Sequence, residues 1–209
     1  MIDTKLRILD TAEQLFGAQG YDATSLRHII TEAGVNLAAI HYHFGSKEEL
    51  LDEIIVRRAV PVNQKRMELL ERTEAEAGSG PLAIERVLEA FLAPMSEAAD
   101  RKPEFVQLMG RMYAEGMLPV ILRRHFGAVI ERFVGAMRRA LPELPEQELL
   151  RRIQFMTGAM AQTMCGPRDL APVSPEPAPF RDRVTSLIAF LSGGFRAPVP
   201  RPDQIEVGL

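Results

Sequence analysis

Between residues 17 and 49 the chain sets helix stops and helix caps in close succession: Gly17, Gly20, Thr24-Ser25, Gly34, Asn36, Gly45 and Ser46. Glycine ends helices because it takes the left-handed conformation at little steric cost. Ser, Thr and Asn start them by accepting a backbone N–H that the first turn leaves without a partner. The apolar residues between these marks follow helical spacing, not the alternation of strands. Leu6, Leu9, Ala12 and Phe16 form one face of a first helix. Leu26, Ile29, Ile30 and Ala33 form the buried face of a second, and Ile40 and Phe44 turn inward from a third, capped by Asn36. Ser46-Lys47-Glu48-Glu49 is a capping box that opens a fourth.

That fourth helix is expected to run to about residue 77, bent near Pro61, which has no N–H to give. Gly78-Ser79-Gly80-Pro81 is a loop. Amphipathic segments follow near 82–98, 103–115, 118–140, 145–165 and 180–194. Residues 166–179 hold five prolines and read as an extended connection. The expectation is an all-α chain of about nine helices. It divides into a helix-turn-helix domain at 1–47, a larger helical body at 48–195, and a Pro-rich flexible tail at 196–209.

Composition narrows the function. With 209 residues, 46% of them hydrophobic, a sizeable core is within reach. Cys165 is the only cysteine, which excludes an intramolecular disulfide and a thiolate metal cluster. No apolar run approaches the roughly 18 residues of a membrane span, and a cytoplasmic, soluble protein is the simplest expectation. The net charge of −3 argues against broad binding to a polyanion.

Two short helices joined by a Gly-containing turn, then a further helix, make a helix-turn-helix pattern. The second helix of such a pair enters the major groove. Here Leu37, Ala38, His41 and Tyr42 face away from Ile40 and Phe44, and so toward a partner. Thr24, Ser25 and Lys47 lie at the starts of the second and fourth helices, where backbone N–H groups suit phosphate. His41 and His43 are two apart and point about 200° away from each other, so they cannot chelate one metal from one face. His43 is equally well read as a packing residue. Nucleophilic catalysis has no sequence support, because no G-x-S-x-G and no Cys–His neighbour occurs. Residues 1–47 carry four cations (Lys5, Arg7, Arg27, Lys47) against five anions (Asp3, Asp10, Glu13, Asp22, Glu32), a net of −1. Phosphate contacts per subunit are therefore few and the salt dependence shallow.

The run TSLRHIITEAGVNLAAIHYHFGSKEELL resembles the DNA-binding signature of the TetR family of bacterial repressors, with T-x-x-x-I, A-G-V, Y-H-F and S-K-E-x-L in register. The resemblance spans residues 5–52. It implies an all-helical homodimer whose reading heads hold an operator in double-stranded DNA and let go when a ligand enters the body. It implies no enzyme activity, cofactor or metal. Carried over by position, the contact set is Thr24, Ser25, Arg27, Asn36, Leu37, Ala38, His41, Tyr42 and Lys47. The family more often has Tyr or Asn where this chain has His41.

Eight of the ten methionines fall between Met95 and Met164. Flexible, polarizable Met suits a cavity for apolar ligands, and it suits an ordinary core equally. The candidate pocket is Phe91, Met95, Phe105, Met109, Met112, Phe126, Phe133, Met156 and Met160, with Arg111, Tyr113, Arg123 and His125 as polar neighbours. Leu150, Thr157, Gly158, Ala161 and Cys165, with Phe180, Val184, Leu187, Ile188 and Leu191, read as a homodimer surface on helices near 145–165 and 180–194. Burial within one subunit is the alternative. The body is also similar to the PsrA-type subgroup of TetR regulators, which implies a fatty acid or acyl thioester as the small apolar effector. A helical ligand-binding protein without operator binding remains the second reading.

Overall fold

The computed structural model describes residues 4–114, 116, 124–165 and 178–199. Among them the chain forms nine helices: α1 (Thr4–Gln19), α2 (Leu26–Ala33), α3 (Leu37–His43), α4 (Lys47–Ala77), α5 (Ile84–Arg101), α6 (Pro103–Ala114), α7 (Gly127–Ala140), α8 (Glu146–Cys165) and α9 (Phe180–Arg196). One hydrophobic core runs without a break from Ile8 of α1 to Phe195 of α9. None of the described helices is long and apolar enough to cross a membrane.

Helix α1 buries Ile8, Leu9, Ala12, Glu13 and Phe16, whereas Leu6, expected on that face, is 43% exposed. The buried stripe is rotated so that Glu13 faces α4. There Arg58 grips it with two charge-assisted bonds, Nε to Oε1 at 2.9 Å and Nη2 to Oε2 at 2.8 Å. Gly17 does not end α1. It lies inside the helix, where a Cβ would stand 2.6 Å from the backbone oxygen of Glu104 at the start of α6. The glycine is there for closeness between α1 and α6.

Helix α4 is the longest element, 31 residues, and it runs unbroken through Pro61 to Ala77. Its first half lies under α1 and its second half packs on α5 and α7. Arg132 of α7 clamps Glu74 of α4, and this hydrogen-bonded partner holds the Glu74 carboxyl below its ordinary range. Helix α7 starts later than the continuous 118–140 helix expected from spacing. The chain turns at Phe126, which is buried, after Arg124 and His125 have bonded Asp52 of α4. Residues 117–123 lie outside the described residues, as do 166–177 of the proline-rich connection and 200–209 of the tail.

Arg152 of α8, held by a buried ion pair within that helix, caps the C-terminal end of α9 and so joins the two helices. Arg152 binds Glu148 at 2.8 Å, and its Nη1 donates to the carbonyls of Gly194, Phe195 and Ala197 at 3.0, 2.9 and 2.8 Å. Those carbonyls form the negative end of the α9 dipole, so the cation satisfies orphan acceptors and dipole together.

Gly17→Ala separates helix propensity from packing. In a free helix Ala gains about 1 kcal/mol over Gly, but here the methyl meets backbone that cannot swing aside. The substitution is expected to destabilise the fold by ~1–3 kcal/mol, read as a lower midpoint in urea. A higher midpoint would show that α1 and α6 can move apart freely.

Candidate nucleic-acid interface and effector cavity

Helices α2 and α3 are set by their caps. Ser25 Oγ accepts from the His28 N–H at 3.1 Å to open α2, and Gly34, in the left-handed region at φ 60°, closes it through bonds to the carbonyls of Ile30 and Thr31. Asn36 Oδ1 accepts from the Ala39 N–H at 2.9 Å to open α3. Ile40 and Phe44 are buried, each worth about 1.5–3 kcal/mol of apolar burial. Together they pin the short helix to α1 and leave its other side outward. On that side Leu37, Ala38, His41 and Tyr42 are exposed, Tyr42 to 85%. His41 Nδ1 lies 3.1 Å from the Gly45 carbonyl. A carbonyl only accepts, so Nδ1 carries the proton and Nε2 is the acceptor of the neutral ring. Gly45 has φ 76°, and Ser46 and Glu49 complete the capping box of α4 with two 3.1 Å bonds.

Two expected contacts change character. Thr24 is fully buried: its hydroxyl donates to the Gly20 carbonyl at 2.8 Å, so it fixes the turn before α2 and cannot meet DNA. Lys47 points back into the head, donating to the Tyr21 carbonyl at 2.7 Å with its ammonium 4.0 Å from the Tyr21 ring centre. A phosphate at Lys47 would share a cation already engaged. Ser25 and Arg27 are exposed beside the face, and Asn36 is exposed with its side chain committed to the cap. His43 is half-buried, edge-on to Tyr42 and tilted against Phe44.

In the body an apolar cavity of about 70 Å³ opens between α4, α5, α6, α7 and α8. Phe91, Met95, Phe105, Met109, Phe126 and Met160 line it. Met112, Phe133 and Met156, expected with them, are buried but stand away from it. Phe133 backs the wall instead, its ring 4.9 Å from that of Phe91. The polar lining is Arg66 of α4, which sequence spacing did not single out. Of the polar neighbours expected, Arg111 donates to the Ala18 carbonyl at 2.8 Å, Tyr113 is exposed, and Arg123 lies outside the described residues. His125 turns toward α4: its Nε2 is 2.7 Å from Asp52 Oδ1, and its carbonyl accepts from Asn63 Nδ2 at 3.2 Å. Asn63 Oδ1 in turn accepts from Arg66 at 3.1 Å.

The sequence profile described as bacterial regulatory proteins, tetR family, matches residues 8–54. A second, described as tetracyclin repressor-like, C-terminal domain, matches residues 88–194, just over half of the chain. The chain belongs to the TetR family. Among curated relatives, the HTH-type transcriptional regulator TtgW of Pseudomonas putida is 30% identical over 115 residues, 55% of this chain and 76% of its own length. SrpR, also of Pseudomonas putida, is 30% identical over 115 residues too, and there the match spans only 48% of the relative. The ketosteroid regulator KstR2 of Mycobacterium tuberculosis shares the fold, with a TM-score of 0.66 at 17% identity, covering 93% of this chain and 95% of that one.

Within this TetR fold the expected association face splits in two. Val184, Leu187 and Leu191 of α9 are buried in the chain's own core, where α9 packs on α5. Ala161 of α8 is buried too, and Cys165 backs onto Gly110 of α6, where a Cβ would stand 2.8 Å from the cysteine sulfur. The large apolar side chains left outside on these two helices are Leu150 of α8, expected on the face, with Phe155 of α8, 66% exposed, and Phe190 of α9, 72% exposed. Of the small residues on that face, Ala161 is buried and Cys165 packs on the chain's own α6, whereas Thr157 and Gly158 are half-buried.

Burial opposes ionisation of Asp52, yet its bonds to Arg124 and His125 outweigh that and hold its carboxyl below the usual range near 3.8. Because folding lowers this pKa, its contribution is complete above the unfolded value and drains away as pH falls through the lower folded one. Asp52→Asn is expected to flatten the acid side of a melting temperature against pH curve, below about pH 4. An unchanged slope would mean that the link between α4 and the turn before α7 adds nothing to stability.

Proposed function

We propose that this TetR-family chain is a DNA-binding transcriptional regulator, a repressor, that works as a homodimer in the cytoplasm. The observation that carries the reading is the outer face of α3. Tyr42 is almost wholly in water on a helix whose inner residues are locked, so its side chain has little structural task in the monomer. In the major groove, Leu37 and Ala38 permit close approach, Tyr42 bonds a phosphate, and His41 turns its Nε2 edge toward the bases. Residues 1–47 act as reading head and 48–195 as body, with 196–209 as tail. A small apolar effector enters the body and changes the separation of two heads that must match half-sites ~34–36 Å apart. An acyl chain is the best effector class from family likeness.

Phe155 and Phe190 are the centre of the dimer face in this reading. They lie on two helices packed together, and Ser186, Ala189 and Gly193 beside Phe190 are small and exposed. Such a face lets the helices of a second copy approach closely. Phe155→Asp combined with Phe190→Asp is expected to give a monomer in analytical ultracentrifugation with the helical content unchanged. A dimer that persists would place the interface elsewhere.

The regulator reading is tested on DNA flanking the chain's own gene, by gel mobility at about 50 mM salt. Tyr42→Ala should weaken binding at least ~10-fold while leaving the melting temperature within a degree or two, since an exposed side chain contributes within roughly ±0.5 kcal/mol to stability. Parallel loss of fold and binding would make Tyr42 a packing residue. The second reading, a ligand-binding protein without an operator, draws on the engaged cations: Lys5 pairs with Glu53 and Lys47 is held by Tyr21. No retarded fragment at low salt would decide for it.

A further inference from the structure

Four charged residues are buried among those described: Glu13, Arg66, Glu148 and Arg152. Three of them sit in ion pairs, Glu13 with Arg58 and Glu148 with Arg152. Arg66 has no carboxylate in ion-pair contact among the described residues. Its Nε donates to the Phe91 carbonyl at 2.8 Å, its Nη1 donates to Asn63 Oδ1 at 3.1 Å, and its guanidinium lies 4.2 Å from the centre of the Phe91 ring. These acceptors are dipoles, and a buried full charge without a counter-ion is strongly disfavoured. Burial pushes the guanidinium down to about 10, which leaves it protonated at neutral pH.

The charge stands at the wall of the apolar cavity between α4, α5, α6, α7 and α8. Fourteen residues line the cavity, thirteen of them apolar and the other Arg66. Nη2 has no hydrogen-bond acceptor among the described residues. An outer cleft of about 150 Å³ shares Val62, Ala98 and Phe105 with the cavity and carries five basic side chains against Glu97. Arg57 and Arg58 are paired with Asp10 and Glu13, and Lys65 with Glu68, so the attraction for anions at this mouth rests on Arg101 and Lys102.

We propose that Arg66 is the receptor for the carboxylate of the effector, an amphipathic monocarboxylate whose apolar chain lies along the cavity wall toward the outer cleft. Nη2 supplies the first bond, and exchange of Asn63 Oδ1 for the second carboxylate oxygen completes the two-pronged pair that a guanidinium favours. A thioester or an alcohol of the same chain offers no charge to Arg66 and ranks below the free acid. The proposal rests on the reading that the body takes a small apolar effector, and it narrows that reading to one chemical class.

The test is calorimetric titration of the full chain with n-alkyl carboxylates from octanoate to tetradecanoate and with the matching alcohols. Wild type is expected to bind at least one carboxylate saturably and ~10-fold or more tighter than its alcohol. Arg66→Met, which matches the side chain's length without its charge, is expected to keep the melting temperature or raise it and to abolish that preference. Should Arg66→Met not fold, Arg66→Lys serves: one charge without the fork is expected to leave a reduced preference. Equal binding of acid and alcohol by wild type, a preference that survives Arg66→Met or stands undiminished in Arg66→Lys, or no saturable binding of either class overturns the proposal. DNA binding without ligand is measured in parallel. Its absence sinks the regulator reading alone, whereas alcohols that bind as well as acids and release the DNA sink only the carboxylate.

Discussion

Everything in this chain hangs on one helix that belongs to two parts of the molecule. Helix α4 begins at the capping box that closes the helix-turn-helix unit and ends 31 residues later between α5 and α7. Its first half is tied to α1 by the buried Arg58–Glu13 pair, and its second half to α7 by Arg132–Glu74. The partly exposed Arg132–Glu74 pair is worth roughly 0–1 kcal/mol and sets direction more than stability, whereas Glu13 is buried and depends on Arg58 to compensate its charge. The apolar stripe Leu51, Ile55, Ala59 and Leu70 on the same helix contributes more of the stability through burial. Any displacement of its C-terminal half is felt by the head, because the core offers no break at which to absorb it.

The head was legible in the sequence because its determinants are local. Caps and stops act within three or four residues, and Ser25, Gly34, Asn36, Gly45 and Ser46 each play the part their residue type suggests. What sequence could not weigh is the depth at which a capping residue ends up. Thr24 and Ser25 are adjacent and chemically alike, yet one is in the core and the other in water. Lys47 reads as a phosphate ligand until Tyr21, 26 residues away, is folded beside it. Gly17 reads as a stop until Glu104 arrives on its far side.

The body was legible as helices and much less so as surfaces. Buried apolar side chains on α8 and α9 look the same in sequence whether the neighbour is α6 or a second subunit. Only exposure, at Leu150, Phe155 and Phe190, singles out the residues left over. Arg66 escaped for a different reason. Spacing on α4 extends from Ala59 through Asn63 and Arg66 to Leu70 and Thr73, all buried and all at steps of three or four. Three polar members, Asn63, Arg66 and Thr73, break the hydrophobic signal, and a charged residue amid NQKRMELLER passes for part of a solvated face.

That interruption matters for how cavity and head are connected. Arg66 bonds Asn63, Asn63 bonds the carbonyl of His125, and His125 bonds Asp52, about three turns back along α4 toward the capping box. Asp52 also borders the surface cleft that contains Tyr42 and His43. The path lies along the side of one rigid helix, so it does not need to carry a wave of small shifts. In the proposed reading, a carboxylate that takes the place of Asn63 Oδ1 at Arg66 would free Asn63 and so alter how the turn before α7 is held against α4. A coupling of that kind is typically worth 1–3 kcal/mol, about 5- to 150-fold in affinity. In the proposed dimer, two heads set to half-sites on one duplex would need no larger change to lose their fit.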